Sequence, residues 1–371
     1  MTALDDAVHA GVVRDPGPDV ETSCRRHALA LAPLLAPSEL EVLVGRVLAR
    51  VEGLGPLEPL LADPDVTEVM VNAGTEVWVE RAGRLEHTGC RLAAGQAEQL
   101  VERIVAPLGL RVDRTAPVVD ARLPDGSRVH AVVAPLALDG TCICIRRFAS
   151  KAWPLDAFAP DEVVDLLTWA VDARCNVVVT GPTSSGKTSL LNALAGRVPA
   201  RERIITIEDA AELRLPGDHV VRLEARPATA DGVGAVTIRQ LLRAALRMRP
   251  DRLVVGEVRG AEALDMVQAL NTGHDGSLAT CHANSALDGL RRIESMVLEG
   301  SPTLPLVAVR DYVHSSIDLV VHTARATGGQ RRVVEVAEVH PDPERGVRVL
   351  AAGGQLVAEP RRWRGPAPWP R

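Results

Sequence analysis

The sequence predicts an α/β protein in which a domain with a mainly parallel sheet follows an α+β domain and a helical N-terminal arm. Strand and helix patterns alternate over residues 151–340, short alternating strand patterns with one helix fill residues 51–150, and apolar residues recur at helical spacing over residues 1–50. With 371 residues, of which 46% are hydrophobic, the chain can fill a core in each domain.

The predicted arm, residues 1–50, is charged and helical, with a repeating set of apolar positions. These positions include Leu29, Leu31, Leu34, Leu35, Leu40, Leu43 and Val47. A short bundle that covers one side of the next domain and a segment that docks onto a partner explain this pattern equally well.

The α+β domain, residues 51–150, contains short segments of alternating apolar and polar residues that are separated by glycine-containing turns. We predict strands at Val66–Asn72, Glu76–Glu80, Arg84–Glu86, Ser127–Ala134 and Thr141–Phe148, and a helix from Gln96 to about Leu108. Antiparallel strands with one helix define this class of domain.

The second domain, residues 151–340, alternates buried strands with helices, which indicates a mainly parallel sheet covered on both faces. Predicted helices are Pro160–Arg174, Lys187–Gly196, Val236–Met248 and Ala261–Asn271, and predicted strands are Asn176–Thr180, Arg203–Glu208, Val220–Leu223, Arg252–Gly256 and Ser277–His282. Residues 341–371 are rich in Pro, Gly and Arg and form a predicted C-terminal extension that is disordered from Pro360 onward.

Composition and charge exclude several classes of protein. The formal net charge of −6 and the scarcity of aromatic residues argue against a general nucleic-acid binder, which depends on basic and stacking surfaces, and leave only a local basic groove open. The six cysteines show no C-x-x-C spacing, so we expect reduced thiols and no zinc site. The longest apolar stretch near the N-terminus, residues 28–36, is too short to span a bilayer and no secretory pattern precedes it, so we expect a cytoplasmic protein.

The strongest signal lies at residues 181–189, which directly follow an apolar run at residues 177–179 and open a predicted helix. Residues 181–188 fit the phosphate-binding pattern G-x-x-x-x-G-K-[ST]. In such a P-loop the backbone N–H groups and the helix N-terminus face the phosphates, Lys187 bridges the β- and γ-phosphates, and the Thr188 hydroxyl binds Mg²⁺. We therefore predict a site for ATP and Mg²⁺ formed by Gly181, Pro182, Thr183, Ser184, Ser185, Gly186, Lys187, Thr188 and Ser189.

Lysine usage supports this site. Lysine occurs only at Lys151 and Lys187, so nearly all of the 42 basic residues are arginine. A position that keeps lysine against this bias needs a compact charge on a flexible stem, which a planar guanidinium does not supply.

Acidic residues end two predicted strands of the same domain. Glu257 ends the apolar segment that begins at Arg252, as in a Walker B element, and we predict that it is the general base. Glu208 and Asp209 end another strand, and one of them is expected to hold Mg²⁺ directly or through water. For Asp209, an N-cap of a helix over residues 210–213 is an equally good explanation.

Two histidines lie at the ends of one predicted strand. We expect His282, close to Asn284, to face the nucleotide, where its imidazole can donate to the γ-phosphate and report its loss. For His274, at the other end, a structural role has about equal weight.

The order of these motifs resembles the type II/IV secretion ATPase superfamily. The motifs are the P-loop, the Ile-Glu-Asp box at 207–209, the Val-Gly-Glu-Val-Arg box at 255–259 and the Thr-Gly-His…Cys-His-Ala-Asn box at 272–284. Residues 247–260 and 271–277 are most similar to the tight-adherence (Flp) pilus ATPases. The resemblance covers roughly residues 50–325.

The resemblance implies a RecA-like P-loop ATPase domain in a homo-oligomer, a hexameric ring that couples ATP hydrolysis to movement of inner-membrane platform proteins in pilus assembly or protein secretion. Such a motor lies in the cytoplasm at the inner face of the cell membrane. Family members supply arginines from the N-terminal domain to the nucleotide, and the matching residues here are Arg128 and Arg146. Ordinary surface ion pairing is the alternative for these two arginines.

The chain departs from the family pattern at two points. Ser184 stands where the family loop usually has glycine, which costs stability if this position needs a positive φ. The four-cysteine zinc motif of some type II assembly ATPases is absent. Two other functions compete with the motor: a conjugation-type or DNA-handling P-loop ATPase, which the acidic charge disfavours, and a scaffold that binds ATP without turnover, which Glu257 disfavours.

Overall fold

The computed structural model describes residues 3–17, 19–81, 83–147, 153–226, 233–326 and 329–361. The chain divides into two compact units, Met1–Ser150 and Lys151–Arg371. Phe148, the last residue of a predicted strand, lies outside the described residues. In the described part of the chain, no helix combines the length and apolar character needed to cross a membrane.

The first unit begins with three helices, α1 (Ala3–Arg14), α2 (Val20–Leu31) and α3 (Pro37–Val51). They pack around a small core of their own, which consists of Val8, Val12, Cys24, Ala28, Leu43, Val44 and Val47. Arg46 pairs with the buried Asp5 at 2.8 Å and links α3 to α1. The N-terminal segment is therefore a three-helix bundle. Leu34, one of the apolar positions of the predicted helical pattern, lies instead in the link between α2 and α3 and is 97% exposed.

The rest of the first unit is a six-stranded antiparallel sheet in the order β3-β2-β1-β6-β5-β4. Its elements are α4 (Glu58–Ala62), β1 (Val66–Asn72), β2 (Glu76–Arg81), β3 (Arg84–Arg91), α5 (Gln96–Val105), β4 (Val118–Arg122), β5 (Arg128–Val132) and β6 (Cys142–Arg146). One sheet face packs on α5, and their shared core includes Leu100, Val101, Val129, Ala131, Ile143 and Ile145. Strand β4 was not predicted, although the Pro124-Asp125-Gly126 turn that joins it to β5 is a hairpin signal.

The second unit is built on a nine-stranded sheet with helices on both faces. Its helices are α6 (Asp161–Asp172), α7 (Lys187–Ala195), α8 (Ile238–Ala245), α9 (Glu262–Asn271), α10 (Ala286–Gly300) and α11 (Leu306–Ser316). Its strands are β7 (Val177–Gly181), β8 (Ile204–Glu208), β9 (Val220–Glu224), β10 (Arg252–Val258), β11 (Leu278–His282), β12 (Leu319–Arg325), β13 (Arg331–Val339), β14 (Val347–Ala352) and β15 (Gln355–Leu356).

The strand order is β15-β14-β13-β12-β7-β11-β10-β8-β9. From β12 to β9 all neighbours are parallel, and β13, β14 and β15 add antiparallel strands at one edge. Helices α6 and α7 pack on one face, and α8, α9, α10 and α11 pack on the other. Because the central strands are parallel, their carboxyl ends meet at one edge of the sheet, where ligands of open α/β sheets bind.

The sheet continues past residue 340, where the sequence analysis placed the start of a C-terminal extension. Strand β14 pairs with β13, and Leu350 and Ala351 are buried in the core. Leu350 and Ala351 provide the physical reason, because they pack into the core on the face of α6. The predicted boundary therefore falls inside the sheet. Of the predicted disordered segment, residues 362–371 lie outside the described residues.

Candidate active site

The P-loop connects the buried strand β7 to helix α7 at the centre of the sheet. Gly181 has φ 156° and Gly186 has φ 95°, conformations that favour glycine. A Cβ atom on Gly181 would lie 2.5 Å from both the Ser185 Oγ and the Thr323 carbonyl oxygen, so no larger residue fits. Ser184 adopts φ 60°, so the position where the family has glycine does require a left-handed backbone.

Lys187, the first residue of α7, is only 7% exposed and folds back over the loop. Its Nζ donates to the carbonyl oxygens of Gly181 at 3.1 Å and Pro182 at 3.0 Å. Thr188 and Ser189 follow on the first turn of α7, and both are partly exposed. A lysine cation beside a helix N-terminus makes this loop strongly attractive to phosphate.

Glu257 lies near the carboxyl end of β10, two strands away from β7, and its side chain is 18% exposed. One carboxylate oxygen accepts from Arg259 Nε at 2.9 Å and Nη2 at 2.5 Å. Arg259 also pairs with Asp209 at 3.1 Å. Arg259 therefore joins two of the acids that the sequence analysis selected, although that analysis gave Arg259 itself no role.

His282 connects Glu257 to the P-loop. Its Nδ1 lies 2.7 Å from Glu257 Oε1, although the alignment of the two atoms falls short of a hydrogen bond. Its Nε2 lies 3.3 Å from the Thr183 hydroxyl. Burial, together with the charge of Lys187, lowers the pKa of His282 against the opposing effect of Glu257. The structure thus brings His282 and Glu257 together beside the loop, with the imidazole neutral at neutral pH.

Glu208 ends β8 and is 2% exposed. Its Oε2 accepts from the backbone N–H groups of Glu212 at 2.7 Å and Leu213 at 3.0 Å. Burial raises the pKa of Glu208 to about 7, although these two donors lower it. Gly256 makes room for the carboxylate, since a Cβ there would lie 2.8 Å from Glu208 Cγ.

The alternative role of Asp209, as the N-cap of a helix over residues 210–213, is wrong. Residues 210–217 contain no helix, because the backbone N–H groups of Glu212 and Leu213 bond to the Glu208 side chain instead. Glu208 thus fixes the segment that follows it, a structural contribution that the sequence analysis did not anticipate.

The predicted magnesium ligands can be tested against the donors present. Glu208 Oε1 is buried and has no hydrogen-bond partner among the described residues, which fits an atom that faces a metal-bound water. Asp209 is paired with Arg259. The described residues hold no cluster of three or more His, Cys, Asp or Glu side chains suited to a metal, and Mg²⁺ needs only one or two carboxylates beside water and phosphate. Ligation by Thr188, Glu208 and Asp209 stays a prediction.

The opposite flank of the P-loop is formed by β12, a strand that the sequence analysis did not include. Thr323 Oγ1 donates to the Thr180 carbonyl at 3.1 Å and lies 3.0 Å from Ser185 Oγ. His322 Nδ1 lies 3.0 Å from the Thr180 hydroxyl. The apolar run Leu319-Val320-Val321, which ends in these polar residues, is the signal that would have revealed it.

His274 lies at the other end of β11, before its first residue, and is bonded locally. Its Nδ1 lies 3.1 Å from the Ala269 carbonyl, and its own carbonyl accepts from Ser277 Oγ at 2.7 Å. These contacts support the structural alternative for this residue.

The two predicted arginines lie side by side in the first unit. Arg128 on β5 is directly opposite Arg146 on β6, and Arg122 on β4 is directly opposite Arg128. Directly opposite residues share a face of the sheet. The structure therefore forms a row of three arginines, of which the sequence analysis selected only two. Their contact with nucleotide stays a prediction.

Comparison with known proteins adds sequence and fold relationships. The model of the family described as "Type II/IV secretion system protein" matches residues 50–345. A "Putative conjugal transfer protein" of Mycobacterium tuberculosis is 41% identical over 297 residues, which cover 77% of this chain and 84% of that protein. The type IV secretion system protein PtlH of Bordetella pertussis is 36% identical over 322 residues, which cover 76% of this chain and 93% of PtlH.

Among solved structures, the ATPase DotB of Legionella pneumophila superposes with a TM-score of 0.57 at 19% identity. The match covers 78% of this chain and 81% of DotB. It shows a shared fold.

Proposed function

The chain belongs to the type II/IV secretion system protein family, and we propose that it is an ATP-hydrolysing motor of a pilus assembly or protein secretion system. One observation carries this proposal: His282 contacts both Glu257 and the P-loop residue Thr183. A loop that only bound nucleotide would have no need of a carboxylate and a neutral imidazole held beside it. This arrangement supplies a base for water where the γ-phosphate would end.

The contacts of each residue suggest its role in the proposed reaction. Lys187 holds the β- and γ-phosphates once its Nζ exchanges loop carbonyls for phosphate oxygens. Glu257 orients the attacking water and accepts its proton, and Arg259 holds the carboxylate in place. His282, with one ring nitrogen towards Glu257 and the other towards the loop, would respond to the loss of the γ-phosphate directly beside Glu257.

Magnesium fits this site, and we propose that Thr188 and Glu208 hold it, with Glu208 acting through water and Asp209 nearby. Bound Mg²⁺ would neutralise phosphate charge and orient the β- and γ-phosphates. Glu208 is suited to this role because its Oε1 is buried without a partner among the described residues.

Arg128 and Arg146 are proposed to complete the site from the N-terminal domain, either within one subunit or across a subunit boundary. Three arginines on adjacent strands form a cationic row, and the fork of each guanidinium can bind phosphate oxygens bidentately. Charge that develops on the γ-phosphate during hydrolysis needs a donor on the side away from the P-loop.

The proposed working form is a homo-oligomer, a hexameric ring, in the cytoplasm at the inner face of the cell membrane. Its partners would be the inner-membrane platform proteins of a pilus or secretion system, with no specific nucleic acid. The implied family architecture supports this assembly, since ATP-driven closure of each subunit is a way to transmit force around a ring.

A conjugation-type ATPase is the second candidate function. It is favoured by the description of the Mycobacterium tuberculosis relative as a conjugal transfer protein. Both candidates share the same hydrolytic site and differ only in the machine that the motor serves.

The experiment that tests the proposal measures phosphate release from Mg-ATP by the purified chain, together with its mass in the presence and absence of ATP. We expect steady turnover and a hexamer when ATP is present. A monomer with no turnover under all conditions would contradict the motor.

A further inference from the structure

Arg331, the first residue of β13, lies against the P-loop on the flank opposite Glu257. Its stem covers the last loop glycine: a Cβ on Gly186 would lie 2.7 Å from Arg331 Cδ and 3.1 Å from its Cβ. Its Nη1 donates to the Ser189 hydroxyl at 3.3 Å. The sequence analysis assigned no role to this residue.

The sheet order fixes the side of the loop on which Arg331 lies. Strands β11 and β10, which carry His282 and Glu257, lie on one side of β7, whereas β12 and β13 lie on the other side. Strand β12 is parallel to β7, with His322 opposite Thr180, so the β12–β13 hairpin extends past the end of β7 beside the loop.

The direction of a nucleotide over the loop follows from these positions. The γ-phosphate must lie close to Glu257, where water is activated, so the α-phosphate and the adenosine extend away from that flank. Ser189 comes one residue after the predicted magnesium ligand Thr188 and marks the end of the loop that is farther from the reacting phosphate. Arg331 reaches the loop at this end.

The positive charges at this end of the loop also favour a bound phosphate. The N-terminus of α7 already carries a partial positive charge and the cation of Lys187, so a further cation there adds to the attraction of the loop for phosphate. An arginine fork binds two phosphate oxygens at once and remains charged at all working pH values.

We infer that Arg331 binds the α-phosphate of ADP and ATP, with its aliphatic stem packed over Gly186 beneath the adenosine. The inference rests on the proposed nucleotide site and adds a binding residue to it. A contact with the α-phosphate is the same in ADP and ATP, so Arg331 contributes equally to the affinity for both. It has no direct part in hydrolysis.

The test measures equilibrium binding of fluorescent ADP and of a non-hydrolysable ATP analogue to the full chain and its variants. Arg331→Gln keeps most of the stem over Gly186 but removes the charge, and Arg331→Ala removes both. Arg332→Ala is the matched control, because Arg332 is the next residue of β13, is exposed, and pairs locally with Gln330. Unfolding temperatures without nucleotide establish that each variant is folded.

We expect Arg331→Ala and Arg331→Gln to weaken binding of both nucleotides by about tenfold or more, and by the same factor within about twofold. Arg332→Ala should stay within about twofold of wild type. Unchanged ADP affinity in Arg331→Gln, or a loss confined to the ATP analogue, would overturn the inference. If the wild-type chain binds neither nucleotide, the proposed function itself fails, which separates the two ideas.

Discussion

The charged side chains of the two sheets have different surroundings. In the second unit, the charges at the strand ends are held by the fold: Lys187 is bonded to loop carbonyls, Glu208 to backbone N–H groups, and Glu257 to Arg259. In the first unit, Arg122, Arg128 and Arg146 are placed directly opposite one another on neighbouring strands. In the second unit the charged groups are held by nearby donors and acceptors, whereas in the first unit three arginines lie side by side, with Glu68 directly opposite Arg146.

The difference indicates that the two units contribute different things to function. A site whose acids and lysine are fixed by the protein is preorganised, so its charged groups need little reorientation during the reaction. A row of like charges gains most when an anion approaches it. We therefore expect substitutions in the second unit to change chemistry and nucleotide binding, and substitutions in the arginine row to change rate with little effect on stability.

The largest expected effect comes from Lys187→Ala, which removes the cation that holds the β- and γ-phosphates. ATP turnover should fall by about a thousandfold or more and ATP affinity should also fall, as measured by phosphate release and equilibrium binding. Lys151→Ala is the control, because Lys151 is the other lysine of the chain. Retention of more than about a tenth of wild-type hydrolysis in Lys187→Ala would mean that this loop is not the working site.

A smaller effect is expected when the arginine row is broken. Arg128→Ala and Arg146→Ala should each lower kcat by about a hundredfold or more, with a much smaller change in ATP affinity, because the guanidinium acts mainly on transition-state charge. The unfolding temperature should change little, since Arg146 is exposed and Arg128 is only partly buried.

The control for the row is Arg84→Ala, because Arg84 is an exposed arginine at the start of β3 in the same sheet. Equal and small losses of kcat at all three positions would show that Arg128 and Arg146 are ordinary surface charges. A large loss of stability in either variant would show that the row is structural.

How much the sequence could predict differed between these regions for physical reasons. The P-loop, Glu257 and His282 were predictable because chemistry at the carboxyl ends of parallel strands constrains residue type and spacing locally. The positions of β12 and Arg331 beside the loop were not, because they depend on sheet order, which joins residues about 140 positions apart along the chain. Arg122, by contrast, lies opposite Arg128 across the hairpin turn that contains Pro124, Asp125 and Gly126, a local signal from which its position could have been predicted.

The smallest expected effect concerns the pH dependence of stability through Glu208. Burial raises its pKa to about 7 from the ordinary 4.5, so the folded protein binds a proton here more tightly than the unfolded chain does. The contribution of protonated Glu208 to the free energy of unfolding is fully present below about pH 4.5. It is lost as the pH rises through about 7. Glu208→Gln removes this dependence and keeps an oxygen for the two backbone donors.

The measurement is the free energy of unfolding of both proteins from pH 5 to pH 8 without nucleotide. As the pH rises, the wild type should lose the contribution of protonated Glu208, and the Glu208→Gln variant should not. The difference in free energy of unfolding should therefore shift in favour of the variant, by about 3 kcal/mol at most over this range. A difference between the two proteins that does not vary with pH would show that Glu208 ionises normally in the folded state.

The identity of the nucleotide retained by Glu257→Gln tests the central claim most directly. The chain and the variant are incubated with Mg-ATP, separated from free nucleotide, and the bound species is identified. Because Glu257 is proposed to activate water without contributing to affinity, the variant should retain ATP, whereas the wild type should hold ADP. If the variant instead holds ADP, or loses nucleotide binding and hydrolysis to the same extent, Glu257 is not the general base and the account of this site is wrong.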